Sequence, residues 1–375
     1  MTSTSSHSQV HIKAPGRINL IGEHIDYNGG HVLPASIDKH ISIKLTQTDT
    51  KTCHFYSSTL NSSFSVDIDN LEQSAVEWHN YAIGVLFYID KLRPHRLSGF
   101  ECRIESALPQ GSGMSSSAAL ECGLAAGINT LFQLGLTDIE IIELSRDAEH
   151  NFVGTKCGIM DQFAVVKGKA NALIQLDCKS LEYNLIPFKL KGFKIVLLNT
   201  NVSHNLATSE YNLRREECES ALQTIQNKYP ETNYLTEIDA DILSDCQAEL
   251  SIKEYHRALY VYQEHRRTLE AVELLRQDNS TALGKLLYDS HYGLQHLYEV
   301  SCSELDFLVE QAKGKDYVLG ARMMGGGFGG CTINLVKEQH VDEFIEELSQ
   351  AYLKTFGIRL SPIITAIGDG VKQIT

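Results

Sequence analysis

Basic charge is what this sequence has least to spare. Its 33 Lys and Arg stand against 47 Asp and Glu, for a formal net charge of −14. That excludes a broad surface for nucleic acid or an anionic membrane, because phosphate-rich partners are held by basic patches. A local cluster of donors can still hold one nucleotide. No apolar run approaches the ~20 residues of a membrane span. The nine cysteines are scattered, odd in number and contain no C-x-x-C pair, so neither a disulfide framework nor a zinc site is indicated. Reduced, mostly buried thiols in a cytoplasmic protein are expected instead. The opening MTSTSSHSQ has neither the basic nor the apolar region of a signal peptide and reads as a frayed tail. His256 and His265, like His291 and His296, miss the i, i+4 spacing of a helical metal pair. No Gly-Lys pair is followed by Ser or Thr, which excludes a Walker A loop.

What is present begins with LPQGSGMSSSAAL, Leu108 to Leu120. Pro109 holds the chain extended, Gly111-Ser112-Gly113 leads into three consecutive serines, and Ala118, Cys122, Ala125, Ile128 and Phe132 then line one face of a helix that Gly135 stops. A glycine-rich loop entering a helix offers unpaired N–H groups and the positive end of the helix dipole. The loop from Gly111 through Ser112, Gly113, Met114, Ser115 and Ser116 to Ser117 is therefore a candidate phosphate cradle, and its hydroxyls are candidate donors or ligands for a magnesium ion. The competing reading is an N-cap followed by small packing residues.

Nearer the start lies GRINLIGEHIDYNGGHVLPASID, Gly16 to Asp38, preceded by an alternating strand (Val10, Ile12, Ala14) that should end at Pro15-Gly16. Arg17, Glu23, His24, Asp26 and Tyr27 are woven among apolar residues. Charges so placed must find partners in the protein or on a ligand. A plain strand–turn–strand explains Asn28-Gly29-Gly30 but not those charges. Farther on, Thr137 to Glu140 makes a capping box for a helix reaching about Asn151. Glu149 falls near that helix's C-terminus, where the dipole disfavours it. Asp161 follows Gly158 and opens an apolar run, as a helix-start charge or as a base at the bottom of a cleft. The sole tryptophan, Trp78, heads another helix, either as core or stacked on a base. Strands then fit 170–177, 181–188 and 193–199, and the second half is mostly helical up to the glycine loop within Gly320 to Val336. A domain boundary is placed near Lys191-Gly192, dividing 1–191 from 192–375.

GRINLIGEHIDYNGG, LPQGSGMSSSAAL and MGGGFGGCT, in that order, resemble the three motifs of the GHMP small-molecule kinases. The first is similar to the signature of the family's galactokinase branch, and CGIMDQF, SEYNLRREECE and YEVSCSELD extend the likeness over nearly the whole chain. The resemblance implies a two-domain α/β (α+β) fold, an N-terminal α/β domain and a C-terminal ferredoxin-like domain, with the active site in the cleft between them. It implies transfer of the γ-phosphoryl group of ATP to the anomeric hydroxyl of D-galactose. By residue, Asp161 matches the catalytic base and Arg17 the arginine beside it. Ser117 and Glu149 match the Mg2+ ligands. Glu23, His24, Asp26, Gly158 and Tyr211 match the sugar contacts, and Gly111 to Ser117 the phosphate loop; Trp78 is added to the ATP site as the candidate that would stack on the base. ATP and galactose are the expected partners of a protein expected to be monomeric, with no nucleic acid and no membrane.

The chain departs from the pattern in three places, one of them Gln295-His296-Leu297 in place of a more charged run before Tyr298. Ile25 and Met324 stand where threonine is usual, and Ile25 lies between two expected sugar contacts. Since Ile25 also occurs in N-acetylgalactosamine kinases, a kinase for that sugar or for L-arabinose is kept beside the galactose reading. So is a non-catalytic galactokinase-like sensor.

Overall fold

The computed structural model describes residues 8–109, 111–189, 191–203 and 207–374. The opening tail through residue 7 and Gln110 of the glycine loop lie outside the described residues.

Alternating apolar residues build the first sheet, whose order is β13-β1-β3-β6-β4-β5. Its strands are β1 (Gln9–Asn19), β3 (Pro34–Gln47), β4 (Thr52–Ser57), β5 (Ser62–Asp67), β6 (Phe100–Ser106) and β13 (Lys372–Ile374). Strand β1 does not stop at Pro15-Gly16. Its register against β3 shifts between Pro15 and Arg17, so the residue with no N–H sits at an irregularity, where a missing ladder bond costs least. A small sheet, β2-β7-β8, joins β2 (His31–Val32), β7 (Ala172–Asp177) and β8 (Tyr183–Pro187).

The helices of the first half are α1 (Glu77–Leu92), α2 (Ser116–Phe132), α3 (Asp138–Ala148) and α4 (Met160–Lys167). Helix α2 is rich in Gly and Ala because it lies directly on the sheet. A Cβ on Gly123 would come within 2.6 Å of the Ala14 Cβ, and one on Gly127 within 2.6 Å of a Leu45 methyl. Ala118, Cys122, Ala125 and Ile128 are fully buried there. This close packing fixes where the helix, and hence the glycine loop before it, begins. Thr137 and Glu140 form the expected capping box of α3. The helix then widens into one π-turn, Glu149–Val153, a local form often found at functional sites.

The second half holds β9 (Phe193–Ser203), α5 (Ala207–Gln226), α6 (Ala240–Asp245), α7 (Ile252–Arg276), α8 (Ser280–His296), α9 (Ser303–Lys313), β10 (Val318–Met324), β11 (Gly329–Lys337), α10 (Val341–Phe356) and β12 (Ser361–Thr365). All pairings in its sheet are antiparallel, in the order β10-β11-β9-β12. In chain order that is 2-3-1-4, the strand order of a split βαβ, ferredoxin-like unit. The Lys191-Gly192 position falls just before β9. Two features tie the halves together: β13 returns to pair with β1, and one apolar core runs from Ile12 and Leu45 to Leu197, Leu283 and Ile333.

Candidate active site

A cavity of about 260 Å³ opens between the halves. Its lining includes Arg17, Glu23, His24, Asp26, Gly111 to Ser117, Glu149, Gly158, Asp161, Tyr211, Gly325 and Gly326. Every candidate site residue but one therefore meets in one place. The exception is Trp78, which is not among the lining residues. It sits in the first turn of α1 with its ring edge-on to Phe64 and His79, so packing against β5 accounts for it. A larger cavity, about 430 Å³, lies between Phe193 and the start of α8. It has Lys189, Lys191 and Asp278 on its walls but neither a glycine loop nor a carboxylate pair, so its size carries no chemistry.

At the centre Arg17 grips Asp161. Nε donates to Oδ1 at 2.7 Å and an Nη to Oδ2 at 2.8 Å, while the other Nη donates to the Gly113 carbonyl. Burial works against the guanidinium charge, but Asp161, Glu23 and Asp26 outweigh it and raise the Arg17 pKa. The Ser115 hydroxyl also donates to Oδ2 of Asp161. A carboxylate has about four acceptor positions, so these three donors leave Oδ1 one lone pair free. Asp161 reaches the cleft from the first turn of α4 and its side chain is 24% exposed.

The sugar-segment carboxylates are held differently. Glu23 is buried, and its Oε1 accepts from the Gly325 N–H at 2.8 Å and from both Nη atoms of Arg322 at 3.1 Å. Arg322 is wholly buried and also donates to the carbonyls of Asn19, Leu20 and Met323. Asp26 is pushed up to about 7, first by burial and then by Asp161 and Glu23, with the N–H groups of Tyr27 and Met160 pulling it back. Only glycine fits at 158, where a Cβ would lie 1.9 Å from Asp26 Oδ2.

His24 is buried, its backbone is left-handed (φ 61°), and burial lowers its pKa to about 3. A neutral ring fixes the polarity of a chain of bonds. Nε2 lies 3.2 Å from the Gly326 carbonyl, which can only accept, so Nε2 carries the proton. Nδ1 then accepts from Tyr27 at 2.8 Å, Tyr27 accepts from Tyr298 at 2.8 Å, and Tyr298 accepts from the Cys218 thiol at 3.0 Å. Both His24 nitrogens are thus engaged by the protein, and the ring itself packs beside Tyr211 and Tyr298 at centroid distances of 5.2 and 4.9 Å.

At the phosphate end, Ser115 takes the helix N-cap position in a left-handed conformation without a side-chain cap bond. The first N–H groups of α2 are left for a ligand. The third glycine motif supports this loop: a Cβ on Gly113 would lie 3.0 Å from the Met324 carbonyl, and one on Gly325 3.2 Å from that of Gly113. Behind the loop, Glu149 accepts from Gln162 Nε2 at 2.9 Å. Burial and then Asp161 raise its pKa to about 7, and the Ser117 hydroxyl and Cys157 thiol pull it back. Beside it stands Glu121, fully buried, its pKa pushed well up by burial and by Glu149. Neither has a lysine or arginine against it among the described residues.

Sequence reasoning missed Arg322, Ser115 as a partner of Asp161, Gln162 and Glu121. Glu121 carried a signal, being the sole charge in the Ala-, Gly- and Cys-rich stretch of α2. Arg322 lies among apolar residues of β10, a signal of the same kind. Two of the three departures resolve as packing. Ile25 and Met324 are both buried in apolar clusters, and neither is among the cavity-lining residues.

Three family models match the chain: the galactokinase galactose-binding signature over 3–45, the GHMP kinases N terminal domain over 80–169 and the GHMP kinases C terminal over 271–354. The galactokinase of Thermosipho africanus is 41% identical over 363 residues, covering 97% of this chain and 99% of that one. The chain belongs to the galactokinase family of the GHMP kinases. Likewise, the galactokinase of Clostridium beijerinckii is 40% identical over 367 residues, with 96% of this chain and 94% of that one covered. The crystal structure of Lactococcus lactis galactokinase complexed with galactose superposes with a TM-score of 0.94 at 35% identity, covering 98% of this chain and 96% of that one. Methanococcus jannaschii mevalonate kinase shares the fold, with a TM-score of 0.67 at 18% identity and coverage of 98% and 100%.

Proposed function

We propose that the protein transfers the γ-phosphoryl group of ATP to the anomeric hydroxyl of D-galactose, giving α-D-galactose 1-phosphate. One observation carries the proposal: Asp161, gripped by Arg17, stands in a cavity walled on one side by the sugar-segment carboxylates Glu23 and Asp26 and on the other by a glycine loop at a helix N-terminus.

The sugar lies against Glu23, Asp26, the Gly158 backbone and Tyr211. Glu23 and Asp26 accept hydrogen bonds from its hydroxyls, and an epimer that moves one hydroxyl leaves a buried acceptor unpaired, which is how such sites discriminate. His24 contributes its ring face and keeps the third glycine loop in place. The phosphates lie against the N–H groups from Gly111 to Ser117. The anomeric hydroxyl gives its proton to the free lone pair of Asp161 Oδ1 as the new O–P bond forms, a contribution of about 10²- to 10⁴-fold. Arg17 holds Asp161 and faces the charge that spreads over the transferring group. Positioning and charge neutralisation are the main tasks in phosphoryl transfer.

Magnesium fits the residues at the phosphate end. Glu149 and Ser117 offer hard oxygen ligands, and among the described residues no protein cation stands beside the Glu149 carboxylate; the ion keeps several waters and takes few protein ligands. When bound it supplies positive charge to the ATP phosphates. Because Ile25 points into the core, the feature that suggested another sugar has no access to the ligand. The nine cysteines are all free, which suits a reducing, cytoplasmic setting.

Asp161→Asn tests the assignment. Galactose binding by calorimetry should stay within a few-fold of wild type while kcat falls at least ~10²-fold. Turnover near wild type would remove Asp161 as the base.

A further inference from the structure

Arg322 spends every N–H donor of its guanidinium inside the protein, and the acceptors belong to two motifs far apart in the chain. Nε donates to the Leu20 carbonyl at 2.8 Å, one Nη to the Met323 carbonyl and the other Nη to the Asn19 carbonyl. The second proton of each Nη goes to a single atom, Oε1 of Glu23, at 3.1 Å. The Gly325 N–H meets that same oxygen at 2.8 Å. One carboxylate oxygen has about two acceptor positions, so three donors saturate Oε1. Oε2 is in the opposite condition. Among the described residues nothing donates to it, and it keeps access to the cavity that Glu23 lines.

The Glu23 carboxylate is thereby turned one way round, its inner oxygen held by the protein and its outer oxygen left for a ligand. Arg322 is 0% exposed. Each charge would be costly to bury alone, and the pair is tolerated because each partner also finds further hydrogen bonds. A lysine carries a point charge with only three donors, and it cannot span three carbonyls and a carboxylate at once.

We propose that Arg322 is a positioning residue for sugar recognition, which occupies one oxygen of Glu23 so that the other faces the galactose hydroxyls. It is not among the cavity-lining residues and acts through Glu23. An acceptor held in one place pairs with a hydroxyl of one configuration, which is the basis of discrimination at such a site. The inference rests on Glu23 being a galactose contact, as proposed above.

The test is a double-mutant cycle of Arg322→Lys and Glu23→Gln, with galactose affinity read by calorimetry and the KM for ATP by ADP release. Losing a hydrogen bond to a charged acceptor lowers affinity about tenfold or more. Arg322→Lys should therefore weaken galactose binding at least ~10-fold and leave the KM for ATP within about twofold, which also reports that the variant is folded. In the Glu23→Gln background the same change should cost less than about twofold further, because the carboxylate it orients is gone. An equal loss in both backgrounds, or an equal rise in the KM for ATP, would make Arg322 a general support of the fold and overturn the inference. Weakening by Glu23→Gln with Arg322→Lys unchanged would overturn the inference and leave Glu23 as a sugar contact. Unchanged galactose binding in Glu23→Gln would overturn that contact and the inference together. If Arg322→Lys does not fold, Arg322→Gln, which keeps amide donors without a buried charge, is carried through the same cycle against the same limits.

Discussion

The two walls of the cleft are built on opposite plans. On the sugar wall, Glu23 and His24 are 1% and 3% exposed and already bonded to Arg322, Gly325, Tyr27 and Gly326. On the phosphate wall, Gly111 has open space around it at φ 65°, and the helix it feeds begins without a side-chain cap. The sugar wall is held in place by protein partners before ligand arrives, whereas the phosphate wall leaves N–H groups that only a ligand can satisfy. A site that reads hydroxyl stereochemistry benefits from rigid acceptors. A site that takes up phosphates and releases a nucleotide needs only N–H groups within reach.

Substitutions on each wall can break this contrast. The largest effect should follow Gly158→Ala, whose methyl would overlap Asp26 Oδ2. The KM for galactose should rise at least ~10-fold with the KM for ATP nearly unchanged, because the displaced atom is a proposed sugar contact. Equal losses for both substrates would mean that the sugar wall is not independently built. Next comes Gly111→Ala. Nothing lies within 4 Å of the new methyl, so the cost is only the left-handed backbone, about 1–2 kcal/mol. The KM for ATP should rise several-fold and that for galactose stay put. A loss as large as that at 158 would show the phosphate loop to be as tightly constrained as the sugar wall.

The smallest effect concerns stability. Native Asp26 keeps its proton to about pH 7, against an ordinary value of 3.8. Between those values the native state holds more protons than the unfolded chain, so stability falls as pH rises through about 7. Asp26→Asn removes this dependence. Its melting temperature should exceed that of wild type at pH 8, with the gap narrowing toward pH 5. A gap of the same size at both pH values would contradict the account.

Much of the site was legible because charge in an apolar context is conspicuous. Arg17, Glu23, Asp26 and Asp161 each interrupt a hydrophobic pattern, and all four line the cleft. The split βαβ sheet was legible only through resemblance, since strand order is not encoded locally. What stayed hidden depends on long-range meetings. The pairing of Arg322 with Glu23 joins positions 299 apart, and β13 returns across the whole chain to β1. Ile25 misled for the converse reason. Position within a motif suggested contact with sugar, but side-chain direction depends on the turn around left-handed His24 and Gly29, and that turn sends Ile25 into the core. Trp78 was legible only as one of two alternatives, because an aromatic at a helix start carries no record of which neighbour it packs on; it packs edge-on to Phe64 and His79.

The central claim is that this cleft phosphorylates galactose at its anomeric oxygen. ADP release with Mg-ATP should be measured against galactose, N-acetylgalactosamine, glucose and arabinose, with the product's phosphate located by phosphorus NMR. The account predicts strong turnover with galactose, little with the others, and phosphate on the anomeric oxygen. Preference for N-acetylgalactosamine, or saturable galactose binding without ADP release, would contradict it.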